Sequence, residues 1–233
     1  MEKKQAYFGR MWIVLLAALL TVVAACGTEE TTGVSPSEEE TPYMYVAGYS
    51  NTRGVADAVN QLVEPDWFPP NSVTRDGYKL LIEEPQGGSI AAYVEGALQA
   101  QVDYAQRFNR QITGIWWQVG IRGQEAMTPT DRQRELARDI LAEIQRRWPG
   151  IPVYLSPMTP YDGHVCSSSG PGGPATSAIL VDELAADFDN VVKLPPFSAL
   201  KREQTRDGCH ETDAYYLEHA REFIDYIEAR LAN

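Results

Sequence analysis

From about residue 43 onward the chain alternates short apolar runs with longer amphipathic stretches, and that alternation restricts it to few folds. Tyr43-Met44-Tyr45-Val46-Ala47 stops at a glycine and reads as a buried strand. Residues 55–63 read as a helix that gives way to a loop containing Pro65, Pro69 and Pro70, and Tyr78-Lys79-Leu80-Leu81-Ile82 reads as the next strand. Residues 89–109 follow as a long helix rich in Ala and Gln, and residues 112–119, with Trp116 and Trp117, as a central strand. Thr130 is placed to cap a helix whose Leu136, Ile140 and Ile144 recur at helical spacing until Pro149-Gly150 ends it. A strand at 151–155, a helix at 175–187, a short strand at 190–194 and a last helix at 212–231 complete the pattern. Strands that alternate with helices across tight connections predict an α/β three-layer sandwich with a mostly parallel central sheet. In such sheets ligands bind beyond the carboxyl ends of the strands. Ser50, Gly87-Gly88, the 120–123 segment and the loop after Leu155 all fall there.

The first 25 residues read as a signal peptide. Lys3, Lys4 and Arg10 precede an apolar stretch at 11–23 that is short for a membrane span. Val23-Ala24-Ala25-Cys26 has the form of a lipobox, so the expected mature chain starts at a lipidated Cys26, anchored in a bilayer and exposed outside the cytoplasm. Residues 26–42, rich in Thr, Glu, Ser, Gly and Pro, read as a disordered tether, and residues 43–233 as one domain. A net charge of −12 argues against nucleic acid as a partner, because phosphate binding needs clustered Lys and Arg. With Cys26 given to lipid, Cys166 and Cys209 are expected to pair as a disulfide, two unpaired thiols being the alternative.

Two short segments far apart in the chain carry complementary chemistry: Gly48-Tyr49-Ser50-Asn51 and Asp207-Gly208-Cys209-His210. Ser50 falls where a strand turns into a helix, so its hydroxyl can project at the rim while free backbone N–H groups face a developing oxyanion. Either Ser50 or Asn51 would equally serve as a plain helix cap. Asp207 and His210 are close enough for the carboxylate to orient the imidazole, or to be an ordinary turn Asp and surface His. Together the segments supply a nucleophile, its base and an orienting carboxylate.

Four blocks in order make the chain resemble the SGNH hydrolase superfamily, and most nearly its sialate O-acetylesterase and carbohydrate acetylesterase branch. The blocks are residues 45–54 with Gly48-Tyr49-Ser50-Asn51, Gln86-Gly87-Gly88-Ser89, Trp116-Trp117-Gln118-Val119-Gly120, and Asp207-Gly208-Cys209-His210 ahead of the last helix. The resemblance implies a serine esterase that removes acetyl groups from carbohydrate near a bacterial cell envelope, working as a monomer without cofactor or metal. It implies Ser50 as nucleophile, His210 as base and then acid, Asp207 as its orienting partner, and the N–H groups of Ser50 and Gly88 as oxyanion donors. Asn51, Gln118 and Arg122 become candidate contacts for substrate or oxyanion. The third block departs from the pattern: Gly120-Ile121-Arg122-Gly123 stands where an amide-bearing side chain is usual, and Tyr49 replaces the residue usual before the serine. Removing one oxyanion donor typically costs about 2.7–4 kcal/mol of transition-state stabilisation. Arg122 is a cationic substitute donor, a contact for an acidic substrate, or a salt-bridged surface residue.

The irregular stretch 162–170 reads as a lid over the site or as a surface loop, and its His164 is a weak rival base. His164, Cys166, Cys209 and His210 lack zinc-site spacing. His219 reads as a partly exposed structural residue of the last helix. The competing reading of the whole is a tethered carbohydrate-binding protein with weak or absent catalysis, in which Trp67, Phe68, Trp116 or Trp117 stacks on sugar rings.

Overall fold

A computed structural model describes residues 42–75, 77–86 and 88–232. The signal peptide, Cys26 and nearly all of the tether lie outside the described residues. In chain order the elements are β1 (Met44–Ala47), α1 (Ser50–Leu62), α2 (Asn71–Thr74), α3 (Ile90–Arg107), β2 (Gly114–Val119), α4 (Asp131–Arg147), β3 (Val153–Pro157), β4 (Tyr161–Asp162), α5 (Gly173–Asp187), β5 (Val191–Lys193), β6 (Leu200–Lys201) and α6 (Asp213–Leu231). Among the described residues no helix is long and apolar enough to cross a membrane.

Four strands form a wholly parallel sheet in the order β1-β2-β3-β5, with Ala47 opposite Trp117 and Gln118 opposite Ser156. β4 and β6 make a small parallel pair of their own. Successive side chains of a strand face opposite sides, and both sides are covered. Tyr45, Ala47, Ile115, Trp117, Val153 and Leu155 pack on one face against residues of α3, α4 and α5. Met44, Val46, Trp116 and Tyr154 pack on the other against α1 and α6. The architecture is that of an α/β sheet flanked by helices, as the alternation in the sequence predicts.

Trp67 and Phe68 are buried in that second cluster, where the Phe68 ring lies 5.7 Å from Trp116 and 5.6 Å from Phe223. Trp116 and Trp117 are fully buried as well, with indole N–H groups on Ser156 Oγ and the Leu80 carbonyl. None of the four is available to stack on a sugar, so the aromatic basis of the binding-protein reading falls.

The expected strand at 78–82 makes only isolated parallel bridges, Lys79 to Gly48 and Leu81 to Gly120. Gly48 and Gly120 follow adjacent strands, so the segment enters between their carboxyl ends, fixed by hydrogen bonds from Gly48 N to Tyr78 O and from Ile82 N to Gly120 O. α1 leaves β1 on one face of the sheet and α3 packs on the other. Such a divergence opens a crevice at the carboxyl rim.

Candidate active site

The first wall of the crevice is the β1–α1 turn. Gly48 has φ +150°, and a Cβ there would strike the Thr52 side chain and approach the Gln118 carbonyl to 2.8 Å, so this position needs glycine. Thr52 Oγ1 accepts from the Tyr49 N–H at 3.0 Å and donates to Gln118 Oε1 at 2.8 Å. This cap starts α1 at Ser50, at the strand-to-helix junction that the sequence predicts. Ser50 is therefore the first helical residue and exposed, where backbone N–H groups lack intrahelical acceptors. Tyr49 reaches across the rim: its hydroxyl lies 3.4 Å from Thr159 Oγ1 and accepts from the Thr159 N–H at 3.1 Å. Burial pushes its phenol well above the usual tyrosine range, so it stays neutral.

The second wall is the turn 205–211, closed by an antiparallel bridge between Thr205 and Glu211. Asp207 Oδ1 accepts the N–H groups of Cys209 and His210 at 2.9 and 2.8 Å, while Oδ2 lies 2.6 Å from His210 Nδ1. A carboxylate can only accept, so Nδ1 carries a proton, and in the neutral ring Nε2 then holds the lone pair. The backbone N–H and then the imidazole of His210 hold the Asp207 carboxyl far below the usual range, hence ionised. Gly208, at φ +89°, lets the chain fold back so that an Asp and a His three apart meet.

Three ties fix this turn to the rest of the site. Asn51 Nδ2 donates to the Cys209 carbonyl at 3.0 Å, and Asn51 Oδ1 accepts from the Tyr216 hydroxyl at 3.1 Å. The Tyr161 hydroxyl donates to the same Cys209 carbonyl at 3.0 Å. Cys166 and Cys209 form the expected disulfide, with a Cα–Cα distance of 4.7 Å. The disulfide joins the turn to the 162–170 loop, which is also held by the N–H groups of Gly123 and Gln124 on the carbonyls of Ser168 and Ser169. That loop is a fastened wall, not a free lid.

Between these walls lies a cleft of about 480 Å³ lined by Ser50, Asn51, Lys79, Arg122, Tyr161 and His210, among others. Ser50 and His210 thus face one cavity although their positions are far apart in sequence. Among the described residues Nε2 of His210 has no hydrogen-bond partner and Ser50 Oγ makes no hydrogen bond. Contacts between nucleophile and base often tighten only in the substrate complex.

Other expected site residues lie elsewhere. Gln118 is fully buried, spent on Thr52 Oγ1 and the Pro157 carbonyl, and cannot touch a substrate. Asn51 borders the cleft, but both ends of its buried amide are engaged. Gly88 is not among the residues lining the cleft; it lines a neighbouring hollow with Gln86, Ser89 and Tyr93 that shares Lys79 with it. His164 lines another, with its Nδ1 3.2 Å from the Asp162 carbonyl.

One feature escaped the sequence reading. His219 is buried, not partly exposed, and its Nδ1 lies 3.0 Å from Oε2 of the equally buried Glu211. The approach is off the axis of a hydrogen bond, so charge carries it. The other ring nitrogen meets the Ser198 carbonyl at 3.1 Å, and the ring stacks on Phe197. Position 219 falls on the same helical stripe as Phe223 and Tyr216, a signal that was present in the sequence.

No family model and no curated protein matches the chain. The candidate site therefore stands on its own geometry.

Proposed function

We propose that the chain is a serine esterase that works through an acyl-enzyme and takes acetylated carbohydrate as substrate. The observation that carries this reading is the His210 imidazole: Asp207 holds its Nδ1 at 2.6 Å, and its Nε2 is free beside the cleft that Ser50 also lines. In the proposed reaction Ser50 Oγ attacks the ester carbonyl carbon as His210 Nε2 takes the hydroxyl proton. The oxyanion forms near the Ser50 N–H at the start of α1. As the intermediate collapses, the alkoxide leaves with the proton from His210. Water, deprotonated by the same nitrogen, then attacks the acyl carbon and releases acid and free Ser50.

Asp207 keeps the ring in the tautomer that can accept a proton and stabilises the imidazolium that results. Two features point to modest rates. The third block lacks its amide donor, and Gly88 is not among the residues lining the cleft. Placement outside the cytoplasm through a lipidated Cys26 is part of the proposal and rests on the sequence at 23–26 and on the disulfide.

Acetyl release from para-nitrophenyl acetate and from an acetylated glycan tests the reading. Wild type should exceed Ser50→Ala by roughly 10⁴-fold or more. Equal rates from the two proteins would remove the esterase proposal.

A further inference from the structure

The cleft differs in charge from the rest of the molecule. The chain carries a net charge of −12, and several arginines outside the cleft are tied to carboxylates. Arg132 pairs with Glu84 and Glu135, Arg134 with Glu183, Arg138 with Asp187, and Arg147 with Glu143 and Glu95. Among the described residues that line the cleft there is no Asp or Glu, while Lys79 and Arg122 are both present.

Lys79 is unpaired among the described residues, and Arg122 is paired only loosely. Among the described residues Lys79 makes no ion pair and no side-chain hydrogen bond. Arg122 comes no closer than 3.9 Å to Glu83, and 62% of its side chain is exposed. The Asp207 carboxylate is turned onto His210 and the Cys209 N–H, and that of Glu211 is buried against His219. The backbone explains why the cations share a wall. Lys79 is bridged to Gly48, two residues before Ser50, and Arg122 follows Gly120, which is bridged to Leu81. The segment inserted between the carboxyl ends of β1 and β2 thus sets Lys79, and the turn after β2 sets Arg122, in the cleft that Ser50 also lines.

We infer that Lys79 and Arg122 bind an anionic group, a carboxylate or a phosphate, carried by the molecule that enters the cleft. With the esterase reading, on which this part rests, the substrate is an acidic ester whose carbonyl reaches Ser50 while its anion lies on the inserted segment. A planar guanidinium can grip a carboxylate or phosphate with two N–H groups, and an ammonium beside it adds a point charge. In an acidic protein, such a patch also attracts anions locally that the rest of the surface repels. Salt should weaken the attraction.

The test measures binding, so that it does not depend on turnover. The full-length chain carrying Ser50→Ala, in non-ionic detergent, is titrated calorimetrically with para-acetoxybenzoate, para-acetoxyphenylphosphonate and the neutral methyl para-acetoxybenzoate. The anionic esters should bind about tenfold more tightly than the neutral one. The preference should fade in high salt and with Lys79→Gln and Arg122→Gln added, both exposed positions whose folding is checked by thermal unfolding. Comparison of the first two ligands tells carboxylate from phosphate-like recognition. Equal affinity for charged and neutral esters, or a preference that survives the two substitutions, would overturn the inference. Charge-selective binding without acetyl release by the wild type would leave this site standing while the esterase reading fell. Acetyl release without charge selection would do the reverse.

Discussion

Asp207 and His210 form one carboxylate–imidazole pair and Glu211 and His219 form another, and the peptide bond between residues 210 and 211 joins them. Their contacts are similar, 2.6 and 3.0 Å, but their surroundings are not. The first pair is open, with side chains 54% and 43% exposed; the second is sealed, at 0% and 2%. In the open pair, hydrogen bonds from His210 lower the Asp207 pKa. In the sealed pair, burial raises that of Glu211. Burial pushes His219 down, but Glu211, together with Glu222 and the Ser198 carbonyl, more than offsets it, so its pKa ends above the usual 6.5. Both ring nitrogens of His219 are occupied, Nδ1 by the Glu211 carboxyl and Nε2 by the Ser198 carbonyl. His210 has one nitrogen committed and one free. The same two functional groups thus leave one ring nitrogen open where water reaches them, and are fully engaged where it does not.

The comparison breaks most sharply at Asp207. Asp207→Asn should lower kcat for acetyl release by roughly 10⁴-fold, because the amide no longer selects the tautomer that accepts a proton. Its Tm should stay within about 3 °C of wild type, since an exposed pair contributes about 1 kcal/mol at most. His219→Ala should do the opposite. It strands a buried carboxylate, which costs about 3–5 kcal/mol and lowers Tm by roughly 6–20 °C, with kcat at low temperature within a few-fold of wild type. Lost activity with an unchanged Tm would put the sealed pair in the chemistry and end the distinction.

Asn51→Ala probes the link between helix α1 and the His210 turn. Loss of the bonds to Cys209 and Tyr216 should cost about 1–3 kcal/mol. It should also lower kcat by about tenfold with little change in KM, read from steady-state kinetics, because the base is less well held against Ser50.

The smallest expected effect is in pH. A histidine whose folded pKa is raised contributes stability that is full below its unfolded value, about 6.5, and is lost as pH rises through the folded one. The Tm gap between wild type and His219→Ala should therefore narrow by a few degrees between about pH 6 and about pH 9. Asp207 has the opposite sign: its contribution is present above the ordinary Asp value, 3.8, and is lost as pH falls through the lower folded one.

How much the sequence disclosed follows from how local each feature is. The strands and amphipathic helices could be read because apolar spacing repeats over several residues, as in Leu136, Ile140 and Ile144 of α4. Asp207 and His210 could be read because their contact closes within one turn. Ser50 could be read from its place where a strand turns into a helix, although the Thr52 side chain that fastens that turn adds nothing to the apolar period. Trp67 and Phe68 sit in a loop between prolines, where no periodicity tells inside from outside, so their burial emerged only in three dimensions. Gln118 alternates with Trp116 in a strand covered on both faces, which foretells its burial. Glu211 lies in a turn and is buried by chain that is distant in sequence, so no local pattern marked it.

In the proposed reaction the open pair, and not the sealed one, activates Ser50. A fluorophosphonate probe followed by peptide mapping distinguishes the two. A phosphonyl adduct should form on Ser50 in wild type, be lost in His210→Ala, and persist in folded His219→Ala at low temperature. Equal labelling of Ser50 in wild type and His210→Ala, or no labelling of Ser50 in the folded wild type, would contradict the proposed reaction.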